Sequence, residues 1–354
     1  MFQIMVKLWE ILPVKLELLT EIHNKRFVFR VDAGGNVGLG HFYRSLHLAV
    51  ALKKLGNSVI FVHQPSVFWS KLVADNFPFD SVPLSENQIE EQYKLVISRK
   101  ADVFYVDGII DFDTVFITLI KKQAKVVFYQ NLSQSRGLAD VFILPTLYQS
   151  VSFFHNFNKD TRIYQGLKYQ IFKEKIHSLK AKQDLDQVRN IAITTGGSDP
   201  RNTMKMLYEM IDFSIYRNVC FVFFYGSDYQ HKLPIPNDYS ASISFVPYNE
   251  ESILKCDLLI SCFGVSTYEF MSLGMPIVSF GHQMTNADAA TYVDVHFKGL
   301  ISLSLIDEVN KNKLNNVLFK LISDKAMRSK LSSNAKKTVN FNGIKEIIKI
   351  LKNL

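Results

Sequence analysis

Residues 26–55 read RFVFRVDAGGNVGLGHFYRSLHLAVALKKL, and their order decides the fold. Phe27–Val31 is a β-branched and aromatic run with the length of a buried strand. Asp32 closes it, and Ala33-Gly34-Gly35-Asn36-Val37-Gly38-Leu39-Gly40 follows as a glycine-dense loop. His41 comes next, and from Phe42 apolar residues recur at helical spacing (Leu46, Ala49, Val50, Leu52, Leu55) until Gly56. Strand, glycine loop and helix form the opening unit of an α/β domain, and such loops bind anions at the helix N-terminus. Gly35, Gly38 and Gly40 lack a Cβ, so a phosphate or a sugar could approach the backbone there. The loop has neither the Lys-Ser/Thr of a P-loop nor an acidic residue closing a next strand about 20 residues on. Turn geometry alone therefore stands beside the binding reading. A phosphate loop has no use for the imidazole of His41, whereas a reaction would.

Composition bounds the rest. The chain has 354 residues, 47% of them hydrophobic and 21% charged, which suits two globular domains. The net charge of +8 is spread out, so nucleic acid is not the expected partner; an anionic substrate, or at most a peripheral hold on an acidic membrane surface, fits it. Cys220, Cys256 and Cys262 show no metal-ligand spacing and read as buried thiols of a cytoplasmic protein; no metal or other cofactor is expected. Residues 1–25 are apolar but carry Lys7, Glu10, Lys15, Glu17 and Glu21, and no uninterrupted run reaches the ~20 residues that span a bilayer. They read as an N-terminal extension, an amphipathic helix broken near Pro13.

Beyond Gly56, strand-like runs at Ser58–His63, Ala101–Val106, Lys125–Tyr129 and Asp140–Leu144 alternate with helical ones at Pro65–Asp75, Glu86–Arg99 and Phe112–Lys122. Hairpin signals are missing, so a parallel sheet covered on both faces is expected. Residues 151–187 are polar and read as a linker between a first domain at 26–150 and a second at 188–335, with 336–354 as a helix that could pack back on the first. The second series opens at Arg189–Thr194, followed by Thr195-Gly196-Gly197-Ser198-Asp199-Pro200. Strands at Val219–Tyr225, Ser242–Val246, Leu258–Cys262 and Pro276–Ser279 follow, with Phe263-Gly264-Val265-Ser266 ahead of a helix from Thr267. The expected fold class is α/β: two Rossmann-like domains with the ligand at the carboxyl ends of their strands, in a cleft.

Gly196-Gly197-Ser198 and Gly264-Val265-Ser266-Thr267 combine bare amides, hydroxyls and helix starts, which is anion-site chemistry. Glu269 could accept from the vicinal hydroxyls of a ribose. Ser266 and Thr267 as simple caps, with Glu269 as a first-turn residue, is the competing reading.

Taken together, RVDAGG–VGLGHFYRSLHLAVAL, YQGLKY (164–169), TTGGSDPRN and GVSTYEFMSLGMPIV resemble the nucleotide-sugar hydrolases of pseudaminic acid biosynthesis, from about Arg26 to Asn286. Those enzymes cleave UDP from UDP-2,4-diacetamido-2,4,6-trideoxy-β-L-altropyranose and have the GT-B fold of MurG-like glycosyltransferases. The resemblance implies a catalytic His41 with Arg44 in the motif arginine position. It implies UDP binding by Gly196, Gly197, Ser198, Val246, Gly264, Ser266, Thr267, Glu269 and Gln283, and a sugar side comprising Arg30, Gly38, Gly40, Arg44, Asp107 and Tyr169. The chain departs from the family where Asp107-Gly108-Ile109 stands for Asp-Ser-Tyr, Gln130-Asn131 for Asp-Asp before Arg136, and Val265 for a glycine. The first two of these departures fall on the sugar half.

The implied reaction is displacement at an anomeric carbon with UDP leaving. His41 would be the general base, since an imidazole with an ordinary pKa near 6.5 is largely neutral at pH 7. Asp32, at the first strand's end, would orient it or bind sugar hydroxyls. A GT-B glycosyltransferase using the same UDP-sugar donor, and a degenerate UDP-sugar binder, are the alternatives.

Overall fold

The computed structural model describes residues 22–34, 40–85, 88–172, 176, 178–181, 186–197, 199, 201–216, 218–226, 229–234, 242–339 and 341–354. The chain divides into two compact units, Met1–Glu174 with Phe341–Leu354, and Lys175–Asn340.

Unit 1 holds a seven-stranded sheet: β1 (Arg26–Val31), β2 (Ser58–His63), β3 (Asp80–Pro83), β4 (Val103–Asp107), β5 (Lys125–Tyr129), β6 (Val141–Leu144) and β7 (Arg162–Gln165). Its order is β3-β2-β1-β4-β5-β6-β7, and every pairing is parallel. Between the strands run helices α1 (Gly40–Lys54), α2 (Val67–Ala74), α3 (Gln88–Ser98) and α4 (Thr114–Lys121). Alternation along each strand sends Phe27, Phe29 and Val31 to the face that α1 covers, and Val28 to the opposite one. Both faces are buried, which is why β1, β4 and β5 are nearly continuous apolar runs.

Unit 2 repeats the plan with six parallel strands: β8 (Asn190–Thr194), β9 (Cys220–Tyr225), β10 (Ser242–Pro247), β11 (Leu258–Cys262), β12 (Ile277–Gly281) and β13 (Ile301–Leu305). The order is β10-β9-β8-β11-β12-β13. Helices α5 (Thr203–Met210), α6 (Glu250–Ile253), α7 (Val265–Ser272), α8 (Met284–Phe297), α9 (Lys311–Ser323) and α10 (Lys325–Thr338) complete it. Two Rossmann-like parallel-sheet domains are the expected fold class.

The chain then returns to unit 1 as α11 (Gly343–Lys352), whose Ile347, Ile348, Ile350 and Leu351 join the core beneath α1. Gly343 sits so close to the backbone of Gln170 that a Cβ there would lie 2.0 Å from its carbonyl oxygen. The stretch expected as a linker is partly built into unit 1, since β7 pairs with β6 and Leu167–Tyr169 forms a 3-10 turn against α11. Among the described residues no helix is long and apolar enough to cross a membrane.

Candidate active site

In each sheet the strand order reverses at one place, beside β1 and β4 in unit 1 and beside β8 and β11 in unit 2. Loops leaving such neighbouring strands in opposite directions open a crevice at the carboxyl edge, where α/β proteins bind ligands. The sequence puts its unusual residues there.

In unit 1, α1 starts at Gly40 and carries His41, Arg44 and Ser45 on one face, three and four residues apart. All three meet one carboxylate at the end of β4. His41 Nδ1 lies 2.8 Å from Asp107 Oδ1, and Arg44 donates to both oxygens, from Nη2 to Oδ1 at 2.5 Å and from Nε to Oδ2 at 2.7 Å. Ser45 Oγ donates to Oδ2 at 2.9 Å. Four donors thus saturate a carboxylate that is 0% exposed. Burial alone would raise the Asp107 carboxyl, but the charge and hydrogen bonds of Arg44 and the bond from His41 hold it below the ordinary range. For Arg44, too, burial is the largest influence and opposes the charge, yet Asp107 wins and the guanidinium is raised.

This arrangement fixes the imidazole. Nδ1 faces the carboxylate oxygen at 2.8 Å and the Arg44 Nη2 donor at 2.7 Å, so it donates to Oδ1 when it carries the proton and accepts from the guanidinium when it does not. In the first of these tautomers Nε2 is the basic nitrogen. Behind this cluster the Arg44 guanidinium lies over the Tyr129 ring at 4.9 Å, and its Nη1 donates to Gln130 Oε1 at 2.6 Å. Tyr129 donates to the Tyr169 carbonyl at 3.0 Å.

Of the two roles expected for Asp32, orienting His41 or binding sugar hydroxyls, the structure does not show the first. Asp32 pairs with Arg30 at 2.8 Å and accepts from the Gln64 N–H at 2.7 Å. Strand geometry explains the exchange. Asp107 is in register with Val31, so it shares the α1 face, whereas Asp32 follows Arg30 on the other. Arg30 is buried and paired with Asp32, and Tyr169 packs in the core against Tyr164. Gly40 opens onto free space, and Gly38 lies outside the described residues.

In unit 2 the carboxyl edge presents Gly196, with φ +98°, and Gly197, and a Cβ would meet nothing at either. Gly226 backs this loop so closely that a Cβ there would lie 2.1 Å from Gly197 O. Ser198 lies outside the described residues. Asp199 caps α5, accepting from the N–H groups of Thr203 at 2.8 Å and Met204 at 2.9 Å. After β11, Thr267 is 1% exposed and its hydroxyl closes the loop, accepting from Gly264 N–H and donating to Cys262 O, both at 3.2 Å. Thr267 therefore shapes the loop, in which Gly264 and Ser266 are half-buried. Glu269 is buried in α7, and Tyr248, absent from the sequence-based set, lies near it; burial and then the Glu250 and Glu269 carboxylates push its phenol up. Val246 is half-buried at the end of β10, and Gln283 is exposed after β12. Of the three cysteines, Cys220 and Cys262 are only half-buried; Cys262 Sγ lies 2.8 Å from His282 Nδ1, with its thiol pushed up to about 11 by burial. Among the described residues no group of three His, Cys, Asp or Glu could hold a metal.

Two Rossmann-like domains of this kind define the GT-B fold, and solved structures agree along nearly the whole chain. A glycosyltransferase from Rickettsia africae matches with a TM-score of 0.65 at 13% identity, covering 94% of this chain and 99% of that one. Acinetobacter baumannii MurG matches at 0.62 and 14% (93% and 100%), and S. aureus MnaA, solved with UDP, at 0.56 and 12% (93% and 96%). In sequence, the chain is 29% identical over 270 residues to an uncharacterized protein of Methanocaldococcus jannaschii, covering 70% of this chain but 54% of that protein, about half its length. It is 24% identical over 351 residues to the UDP-N-acetylglucosamine–N-acetylmuramyl-(pentapeptide) pyrophosphoryl-undecaprenol N-acetylglucosamine transferase of Caldicellulosiruptor saccharolyticus, covering 87% and 92%. No family model matches.

Proposed function

We propose that this chain is a nucleotide-sugar hydrolase that releases UDP from a UDP-activated diacetamido-trideoxy sugar, in nonulosonic (pseudaminic-type) acid biosynthesis. The observation that carries the reading is the His41–Asp107 pair, an imidazole held through Nδ1 against a buried carboxylate; the proposal takes the tautomer in which Nδ1 donates to Asp107 and Nε2 is the base. In the proposed step Nε2 takes a proton from water as the water oxygen bonds to the anomeric carbon. The bond from that carbon to the phosphate oxygen breaks, and UDP leaves with the electron pair. Asp107 stabilises the imidazolium so formed. Amides of the Gly196-Gly197 and Gly264 loops, the Ser266 hydroxyl and the start of α7 are the groups proposed to hold the diphosphate as its charge grows, with Glu269 on the ribose.

The second reading, a UDP-sugar glycosyltransferase, is favoured by the likeness to the Caldicellulosiruptor saccharolyticus transferase. There the same base would take its proton from an acceptor hydroxyl. Incubating the chain with acylamino UDP-sugars in ¹⁸O-water, without acceptor, separates the two. Hydrolysis yields UDP and reducing sugar in equal amounts, with one ¹⁸O in the sugar. UDP release that appears only when an acceptor is added supports the transferase and overturns the hydrolase.

A further inference from the structure

The residue that follows β5 is Gln130, and three observations about it converge. Its backbone is left-handed, with φ +49°, a conformation that a residue with a side chain rarely adopts. The peptide is pinned there by its N–H, which donates to Ile143 O at 2.8 Å. The second observation is chemical: Oε1 accepts from Arg44 Nη1 at 2.6 Å. A guanidinium has only donors, so this contact decides which end of the amide is oxygen. The third is that Gln130 is half-exposed and its Nε2 has no partner among the described residues. Two N–H donors are therefore held in a fixed direction at the carboxyl edge. The same guanidinium that fixes them also touches His41 Nδ1 at 2.7 Å, so amide and imidazole are indexed to one rigid group.

Resting on the nucleotide-sugar reading above, we propose that Gln130 determines specificity by donating from Nε2 to an acceptor oxygen of the sugar, the carbonyl of an acylamino substituent. The surroundings narrow the choice. The Arg44 charge is taken up by Asp107, and what Gln130 shows outward is the donor end of an amide backed by a cation. An acylamino carbonyl accepts there, whereas the protonated amine of an unacylated amino sugar meets donor against donor and is disfavoured.

Gln130→Glu in the full-length chain separates this from a purely supporting role. Glutamate keeps, and strengthens, the acceptor contact with Arg44 but places a second oxygen where the donors were. The expected result with an acylamino UDP-sugar is a KM raised about tenfold or more, the loss of up to two neutral hydrogen bonds plus oxygen facing oxygen. kcat should change much less, and the preference for acylamino over free-amino UDP-sugars should shrink. Gln130→Ala should raise KM as well, with thermal melting reporting any loss of Arg44 support. If Gln130→Glu keeps the wild-type KM and preference, Gln130 only supports Arg44 and the inference is overturned. If the unmodified chain turns over no UDP-sugar, the functional reading fails first and takes this inference with it.

Discussion

Replacing Asp107 with asparagine removes one charge while keeping the shape of the side chain, and the structure allows its effects to be worked through. The carboxylate accepts four donors, and Arg44 engages both oxygens. An amide offers one oxygen, so in either orientation an Arg44 N–H faces an NH₂ group and the buried guanidinium loses its counter-charge. Breaking a buried ion pair from one side costs about 3–5 kcal/mol. Gln130 and the Tyr129 ring still hold Arg44, which argues for the lower figure. About 3 kcal/mol in a domain of this size lowers its Tm by roughly 6–12 °C. If the amide nitrogen faces His41, it donates to Nδ1, the imidazole proton moves to Nε2, and the base is lost; turnover should fall by about 10²- to 10⁴-fold. UDP affinity should not change. There is also a pH signature. The Asp107 carboxyl sits below its unfolded value, so its contribution to stability is fully present above about pH 4 and disappears as pH falls through the lower folded value. The asparagine variant should lack that part of the acid dependence. Melting curves from pH 3 to 7 and steady-state kinetics test both halves. An Asp107→Asn protein with wild-type Tm and more than a tenth of wild-type turnover would refute the reasoning.

His41→Asn should cut turnover at least ~100-fold with nucleotide binding nearly unchanged, and retained activity would make His41 structural. Glu269→Ala should weaken UDP binding by about 1.5–3 kcal/mol, roughly 10- to 150-fold by calorimetry; an unchanged affinity would reduce Glu269 to a first-turn stabiliser. A chain ending at residue 340 loses the burial of Ile347, Ile348, Ile350 and Leu351, about 6–12 kcal/mol at 1.5–3 for each side chain, comparable to the stability of a whole domain. Its unit 1 should show no cooperative melting, and a preserved transition there would mean that α11 is dispensable.

Central strands were legible in the sequence because both of their faces are covered: β1, β4, β5 and β11 announce themselves as apolar runs. Strands β3, β7 and β13 were not, and all three are sheet edges. Each is short or half-exposed, and β3 ends in Pro83, which a central strand would not tolerate. The site divides along the same line. His41 stood out because it follows the glycine loop directly, where the helix begins. Asp107 was expected only on the sugar side and not as its partner, because 66 residues separate the two and only the pairing of β1 with β4 brings them together. Asp32 looked the better candidate through proximity in sequence, but the pleat turns it to the other face. Gln130 was visible only as a departure from a family pattern; its left-handed backbone and its amide orientation are tertiary facts.

On the proposed reading one topology serves two kinds of chemistry, and the electrostatics of the two sheet edges differ accordingly. Around β1 and β4 the charged groups are consumed by one another: Asp107 is saturated by four donors, and Arg44 by Asp107, Gln130 and the Tyr129 ring. The proposed base benefits from that treatment, since its lone pair is useful only in one direction, and a neutralised, buried ion pair fixes the ring without adding net charge. At the carboxyl edge of the second sheet the backbone is bare instead. Gly196, Gly197 and Gly264 keep the space above them empty, and the carboxylate of Asp199 is spent on capping α5 rather than facing outward. An unpaired carboxylate beside a diphosphate would repel it, so a site built to hold one has to bury its acids or turn them toward amides. Asp199, spent on the Thr203 and Met204 amides, is compatible with the proposed diphosphate site, and in unit 1 Asp107 stays charged beside the proposed base, held by Arg44.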